Sequence, residues 1–231
     1  MQSIAIITMF RNDTSVAGRW IESFNSIFIP EGVKLFVKAV IGSDGYDSIL
    51  SQLKADLRKD VSLYPAKIAE FAPSNSEPGS YEYNKHKAEY VAKHKSTQAA
   101  AVGKEFTLFW DDDITVQGPI PVIKALNELN AAPSRVNVIG VYPDRNDQSQ
   151  TYVRVSDFGL PLKVNKIPYK PFQAFSGSPG FAMWKTEYLK SILPLQLMQS
   201  TLDTDFYEGL KMQQDEKVCI CHGGVRLNHD A

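Results

Sequence analysis

Ile4-Ala5-Ile6-Ile7-Thr8-Met9-Phe10 is a short continuous apolar run, and it restricts the fold more than any other feature of the chain. It is rich in β-branched residues and ends in the turn chemistry of Arg11-Asn12-Asp13, so it predicts a buried strand. Helical spacing follows at Val16, Trp20, Ile21, Phe24, Ile27 and Phe28, until Pro30-Glu31-Gly32 stops it. Leu35-Phe36-Val37-Lys38-Ala39-Val40-Ile41 is a second strand signal and runs into the tight turn Gly42-Ser43-Asp44-Gly45. Strand, helix and strand in that order open a parallel α/β sheet.

The rest of the chain repeats these signals. The spacing predicts a helix over 46–60, with Ile49, Leu50, Leu53 and Leu57 inward, and a loop over 73–80. A polar helix over 83–101 carries Lys85, His86, Lys87, Lys93, His94 and Lys95, charges that read as a solvated face. Phe106-Thr107-Leu108-Phe109-Trp110 is a third strand, followed by a helix over 121–129 and a strand over 136–142. Residues 151–155 and 162–167 alternate as an antiparallel pair. Helices over 186–193 and 204–212 precede a last short strand over 217–220 and a tail holding His222 and His229.

Bulk properties exclude some functions. The 231 residues suit one large α/β domain. Lys and Arg total 25 against 26 Asp and Glu, so no overall basic field holds nucleic acid non-specifically. Cys219 and Cys221 fall on one face of a strand and read as small apolar residues in a reducing compartment. The N-terminus lacks a signal peptide pattern, and no run approaches the ~18 apolar residues of a membrane span. The expectation is a soluble cytoplasmic protein.

Asp111-Asp112-Asp113 directly follows the third strand. Three successive carboxylates cannot enter a core unpaired. At a strand end they can face one crevice, where a divalent cation relieves their repulsion. Mg²⁺ and Mn²⁺ take oxygen ligands and sit between carboxylates and substrate phosphates. Open α/β sheets bind ligands at this edge. The competing reading is an acidic surface turn or helix cap. Three further segments carry candidate roles. Asp44 stands in a turn after the second strand. Residues 176–181, Ser-Gly-Ser-Pro-Gly-Phe, allow close backbone approach. Asp203 and Asp205 stand at a helix start, as caps or as a general base.

In this order the segments resemble the GT-A glycosyltransferases, especially the inverting family-2 type, over nearly the whole chain. The acidic triplet is the most specific element, matching a DxD-type motif. The resemblance implies an α/β fold with a Rossmann-like, mixed and mostly parallel sheet flanked by helices. It implies one domain over 1–231, with a nucleotide-binding half over about 1–115 and an acceptor-binding half over about 116–231. It also implies metal-dependent transfer from a nucleotide-diphospho-sugar, a UDP-sugar favoured, to an acceptor hydroxyl with inversion.

By this resemblance Mn²⁺ or Mg²⁺ is the cofactor. Asp44 contacts the nucleoside, Asp111 lies near the ribose and the metal, and Asp113 ligates the metal. His229 completes the metal site, with His222 the alternative. Lys85, with His86 and Lys87 beside it, reaches toward the diphosphate, and Gly180 lies against the donor. Asp112 adds negative potential. Asp203 is the first candidate for the base and Asp205 the second. The family's glutamate before this position is absent. The acceptor stays open among a glycan, a protein and a modified nucleobase in DNA, and nucleic acid enters only in that role. Oligomeric state stays open too. Two rivals remain: a non-catalytic nucleotide-sugar-binding module of the same fold, and a sugar-phosphate nucleotidyltransferase. The second lacks its glycine-rich phosphate loop here.

Overall fold

The computed structural model describes residues 1–72, 76–144, 147–156, 160–177, 180–197 and 204–229. Among them the elements are β1 (Gln2–Phe10), α1 (Thr14–Ser26), β2 (Val33–Gly42), α2 (Tyr46–Asp56), β3 (Ser62–Ile68) and α3 (Tyr81–Ala100). There follow β4 (Phe106–Trp110), β5 (Ile114–Val116), α4 (Pro121–Ala131), β6 (Arg135–Val141) and β7 (Pro171–Ala174). The last are β8 (Phe181–Lys185), α5 (Thr186–Ser191), α6 (Asp205–Gln214) and β9 (Val218–His229).

The strands form one sheet in the order β3-β2-β1-β4-β8-β6-β9-β5, with β7 beside the first half of β9. β3, β2, β1, β4, β6 and β9 run one way, and β8, β5 and β7 run against them. The sheet is therefore mixed and mostly parallel, as expected. Its central strands are buried on both faces, which is why they read as continuous apolar runs rather than alternating ones. Ile4, Ile6 and Phe10 of β1 join the core under α1, α2 and α4. Ala5 and Ile7 join the opposite core with Ala99, Leu189 and Met212 of the other helices. No helix among the described residues is long and apolar enough to cross a membrane.

Several elements differ from expectation for physical reasons. α2 stops at Asp56, and the chain turns into β3, an edge strand with no counterpart in the sequence reading. β3 carries Pro65 and a mostly exposed side-chain pattern, so it lacks the apolar run of a central strand. β7 and β5 are too short to announce themselves. The pair expected over 151–155 and 162–167 does not form strands. Thr151 N–H donates to the Leu162 carbonyl at 2.9 Å and Leu162 N–H to Val153 at 2.8 Å, but Val164–Lys166 closes into a 3₁₀ turn. Pro161 and Pro168 flank that segment and limit the ladder.

The last strand is longer than expected. β9 continues from Val218 to His229 because a bulge absorbs Gly223 and Gly224. A side chain at Gly223 would collide with the Pro168 carbonyl, so only glycine fits there. Val225 and Leu227 re-enter the core beyond the bulge. Cys219 and Cys221 both point into one apolar cluster, as the alternation required. Burial pushes the Cys221 thiol up to about 12, and Cys219 is raised as well.

Candidate active site

β1 to β4 are parallel, so their carboxyl ends lie along one edge of the sheet. A cleft of about 290 Å³ opens there. Arg11 and Asn12 follow β1, Gly42 ends β2, Glu70 and Phe71 follow β3, and the acidic triplet follows β4. α3 supplies Tyr83, Lys87, Tyr90 and Val91 as the opposite wall.

The triplet occupies a turn built by its own neighbours. Trp110 is wholly buried against Trp20, Phe24 and Phe181. Its indole N–H reaches across the turn to the Ile114 carbonyl at 2.8 Å. Ile114 N–H donates to the Asp111 carbonyl at 3.2 Å, and Asp111 N–H to the Gly180 carbonyl at 2.8 Å. The three carboxylates differ sharply. Asp111 pairs with Lys95 Nζ at 2.7 Å; the lysine is almost wholly buried, while about a third of Asp111 (33%) is exposed. Lys95 also lies over the Phe109 ring at 5.5 Å. Burial pushes the Asp112 carboxyl up to about 7, helped by the charges of Asp113 and Asp111 and opposed by Arg11. Asp113 Oδ2 lies 3.4 Å from His229 Nε2.

β5 explains that last contact. The strand follows the triplet at once and pairs antiparallel with the end of β9, setting Ile114 opposite His229. The imidazole packs edge-on to Tyr142 and Tyr152 at 5.6 and 6.3 Å. His222 lies elsewhere, opposite Pro171 at the start of the bulge, with Nδ1 accepting from Gly224 N–H at 3.1 Å.

The pair fits a divalent cation. Two ligand atoms each about 2.1 Å from an octahedral ion, at right angles, stand about 3.0 Å apart, close to what Asp113 and His229 present. Among the described residues no group of three or more His, Cys, Asp and Glu side chains is assembled to hold an ion. Two protein donors suit a cation that completes its shell with water and substrate phosphate. An imidazole in the set suits Mn²⁺ better than oxygen-seeking Mg²⁺.

The other expected residues are distributed unevenly. Asp44 sits exposed in the turn after β2, with its backbone N–H donating to Glu70 Oε1 at 3.1 Å. It does not cap α2, whose first turn has no side-chain cap. Gly180 lies against the triplet, and a side chain there would collide with the Tyr142 hydroxyl. Lys85 points away from the cleft and stands 4.0 Å from Glu89 on the exposed face of α3. Lys87 faces the cleft instead, on the stripe formed with Val91 and Lys95 at four-residue spacing. Asp203 lies outside the described residues, as do Ser178 and Pro179 of the glycine loop. Asp205 begins α6, is buried, accepts from Phe206 N–H at 2.8 Å and meets Ser176 Oγ at 3.5 Å. Burial raises its carboxyl, against the pull of Arg154. It is not among the residues lining the cleft.

Arg11, Glu70 and Lys95 were not singled out by the sequence. Glu70 follows the strand that went unseen. Lys95 lay inside a charged run, where only the 87–91–95 spacing marks it.

No family model matches the sequence, and no curated protein matches it. Solved structures do match. S. aureus TarS 1-349 aligns at TM-score 0.59 and 13% identity over 100% of this chain and 60% of that one. GalNAc-T7 with UDP, GalNAc and Mn²⁺ aligns at 0.66 and 10%, over 99% and 43%. The mannosyltransferase PcManGT from Pyrobaculum calidifontis, in complex with GDP-Man and Mn²⁺, aligns at 0.60 and 14%, over 97% and 56%. The chain thus spans between 43% and 60% of the length of these three structures. Sheet order, strand directions and these superpositions agree that the chain has the GT-A glycosyltransferase fold.

Proposed function

We propose that the chain transfers a sugar from a nucleotide-diphospho-sugar, a UDP-sugar by preference, to an acceptor hydroxyl with inversion. The observation that carries this reading is the pairing of Asp113 with His229 at 3.4 Å on the rim of the cleft that the triplet shares with Lys87. The ligands held by two structures of this fold support it: UDP, GalNAc and Mn²⁺ in one, GDP-Man and Mn²⁺ in the other.

The residues divide the work by chemistry. Asp44 accepts hydrogen bonds from the nucleoside at the β2 end. Asp111, neutralised by Lys95, accepts from the ribose hydroxyls. Asp113 and His229 would hold Mn²⁺, or Mg²⁺, and the ion when bound would supply Lewis-acid stabilisation of charge on the leaving diphosphate. Lys87 reaches the same phosphates; Lys85, on the far face of α3, is the weaker choice. Gly180 keeps the wall beside the triplet thin. Asp203 or Asp205 takes the acceptor proton. The acceptor oxygen then bonds to the anomeric carbon as its bond to the diphosphate oxygen breaks, and the electron pair leaves on the diphosphate. A carboxyl raised by burial, as at Asp205, is a stronger base near neutral pH than an ordinary one.

Release of nucleoside diphosphate from UDP-sugars in the presence of Mn²⁺ tests the proposal. Transfer or slow hydrolysis, abolished by Asp113→Ala, supports it. The position of Asp205 outside the cleft lining favours a second reading, a non-catalytic module. Donor binding with no release by the wild type would establish that second reading instead.

A further inference from the structure

Glu70 lines the cleft just beyond the end of β3, and its carboxylate is held in place by the neighbouring strand. Gly42 ends β2, and a side chain there would collide with both carboxylate oxygens of Glu70. Glycine at this position therefore lets the carboxylate sit directly on the β2 backbone. Asp44 N–H, two residues on, donates to Oε1 at 3.1 Å. Among the described residues this is the one hydrogen bond the carboxylate accepts, and it pairs with no Lys, Arg or His. An ionised carboxylate offers about four acceptor sites and no donor. Half-buried in a cleft wall, Glu70 keeps most of its accepting capacity for whatever enters the cleft.

Three aromatic side chains line the same cleft: Phe71, Tyr83 and Tyr90. The Phe71 ring centre lies 5.5 Å from that of Tyr83 and 5.6 Å from that of Tyr90. The Tyr90 hydroxyl donates to the Ala69 carbonyl, which ties α3 to the residue beside Glu70. Aromatic rings suit a planar heterocycle but do not choose among bases, because every base has a π-face. A fixed acceptor at the edge does choose.

We infer, resting on the nucleotide-sugar reading of this cleft, that Glu70 selects the nucleobase of the donor by accepting a hydrogen bond from a ring N–H on its pairing edge. Uracil carries such a group at N3 and guanine at N1. Guanine adds its amino N–H alongside, which a carboxylate also accepts. Cytosine and adenine carry a ring-nitrogen lone pair at that place, and an acceptor-only carboxylate repels it. UDP- and GDP-sugars therefore fit the cleft, and CDP- and ADP-sugars do not. Asp44 serves this contact through its backbone N–H, which holds the carboxylate still.

The test is calorimetric titration of the full chain with UDP, GDP, CDP and ADP, each with Mn²⁺. The expected result is binding of UDP or GDP, with CDP and ADP weaker by on the order of tenfold to a hundredfold, the worth of a hydrogen bond to a charged group. The stronger of the UDP and GDP arms names the base. Glu70→Gln keeps an oxygen for Asp44 N–H, so its melting temperature stays near the wild-type value. Its amide also presents a donor, so binding of the preferred nucleotide falls and binding of CDP rises. Glu70→Ala lowers the preferred nucleotide without the gain for CDP. Wild-type binding of all four nucleotides with equal affinity overturns the assignment of Glu70 and leaves the nucleotide-sugar reading standing. So does a base preference that both variants retain. Failure of every nucleotide to bind the wild type overturns both.

Discussion

Lys95 and Asp111 form an ion pair at 2.7 Å in which the lysine is buried and the carboxylate reaches the cleft. The pair divides the acidic triplet. Asp111 has its counter-charge inside the protein, whereas Asp113 stands 3.4 Å from the His229 imidazole at the cleft. The consequence for stability is asymmetric. Asp111→Asn leaves a buried ammonium without its anion and costs roughly 3–5 kcal/mol. Lys95→Met leaves a carboxylate that can turn toward water and costs less, about 1–3 kcal/mol. Denaturant unfolding of both variants and of the double variant measures this. The double variant recovers part of the Asp111→Asn loss.

Trp110 fixes the turn that presents the triplet. Trp110→Phe keeps most of the ring packing against Phe24 and Phe181 but removes the indole N–H that closes on Ile114. The loss is about 1–3 kcal/mol, because the Ile114 carbonyl is left without that donor. The Mn²⁺ concentration needed for half-maximal donor binding also rises, as Asp113 is less firmly aimed. Metal titrations followed by donor-induced stabilisation check the second effect.

His229 and His222 separate by experiment as they do in space. His229→Ala removes the Mn²⁺-dependent part of donor binding, while His222→Ala leaves it at the wild-type level. Burial lowers the His222 imidazole, so the unfolded chain takes up its proton more readily than the folded one. Its effect on the wild type is a loss of stability as pH falls below about 6.5, which His222→Ala removes.

Asp205 links stability to activity. Burial holds its carboxyl above 3.8, so the folded chain binds this proton more tightly than the unfolded chain. Stability from this group is therefore greatest below the unfolded value and is lost as pH rises through the folded one. Asp205→Asn, which keeps an acceptor for Phe206 N–H, removes that loss. Melting temperature at neutral pH rises relative to the wild type, and the difference closes below about pH 4. If Asp205 is the base, sugar transfer falls by about 10²–10⁴-fold in the same variant. A rise in stability with full activity retained excludes Asp205 as the base.

Much of the fold was legible because its strands are buried on both faces. β1, β2 and β4 are apolar runs ended by polar turns, and the α1 helix between the first two buries Trp20, Ile21 and Phe24 of the expected stripe, with Ala17 rather than Val16 inward and Phe28, past the helix end at Ser26, exposed. Legibility failed at the edges. β3 is half-exposed and contains Pro65, and β5 and β7 are only three and four residues long. The site followed the same division. The triplet announced itself because three carboxylates need a reason to follow an apolar strand. Its partner Lys95 did not, because a lysine in a polar helix looks solvated until the fold buries it. His229 was within reach only by resemblance, since its contact with Asp113 depends on the unseen strand β5.

The central claim is that Asp113 and His229 complete a cation site on a nucleotide-sugar cleft. A thermal denaturation panel of UDP- and GDP-sugars, each with and without Mn²⁺, tests it most directly, because a ligand bound to the native state raises the melting temperature by mass action. At a hundred times its dissociation constant a donor adds about 2.7 kcal/mol. The account predicts stabilisation by a UDP-sugar that requires Mn²⁺ and disappears in Asp113→Ala. Melting temperatures unmoved by every donor, or moved equally with and without the metal, would contradict it.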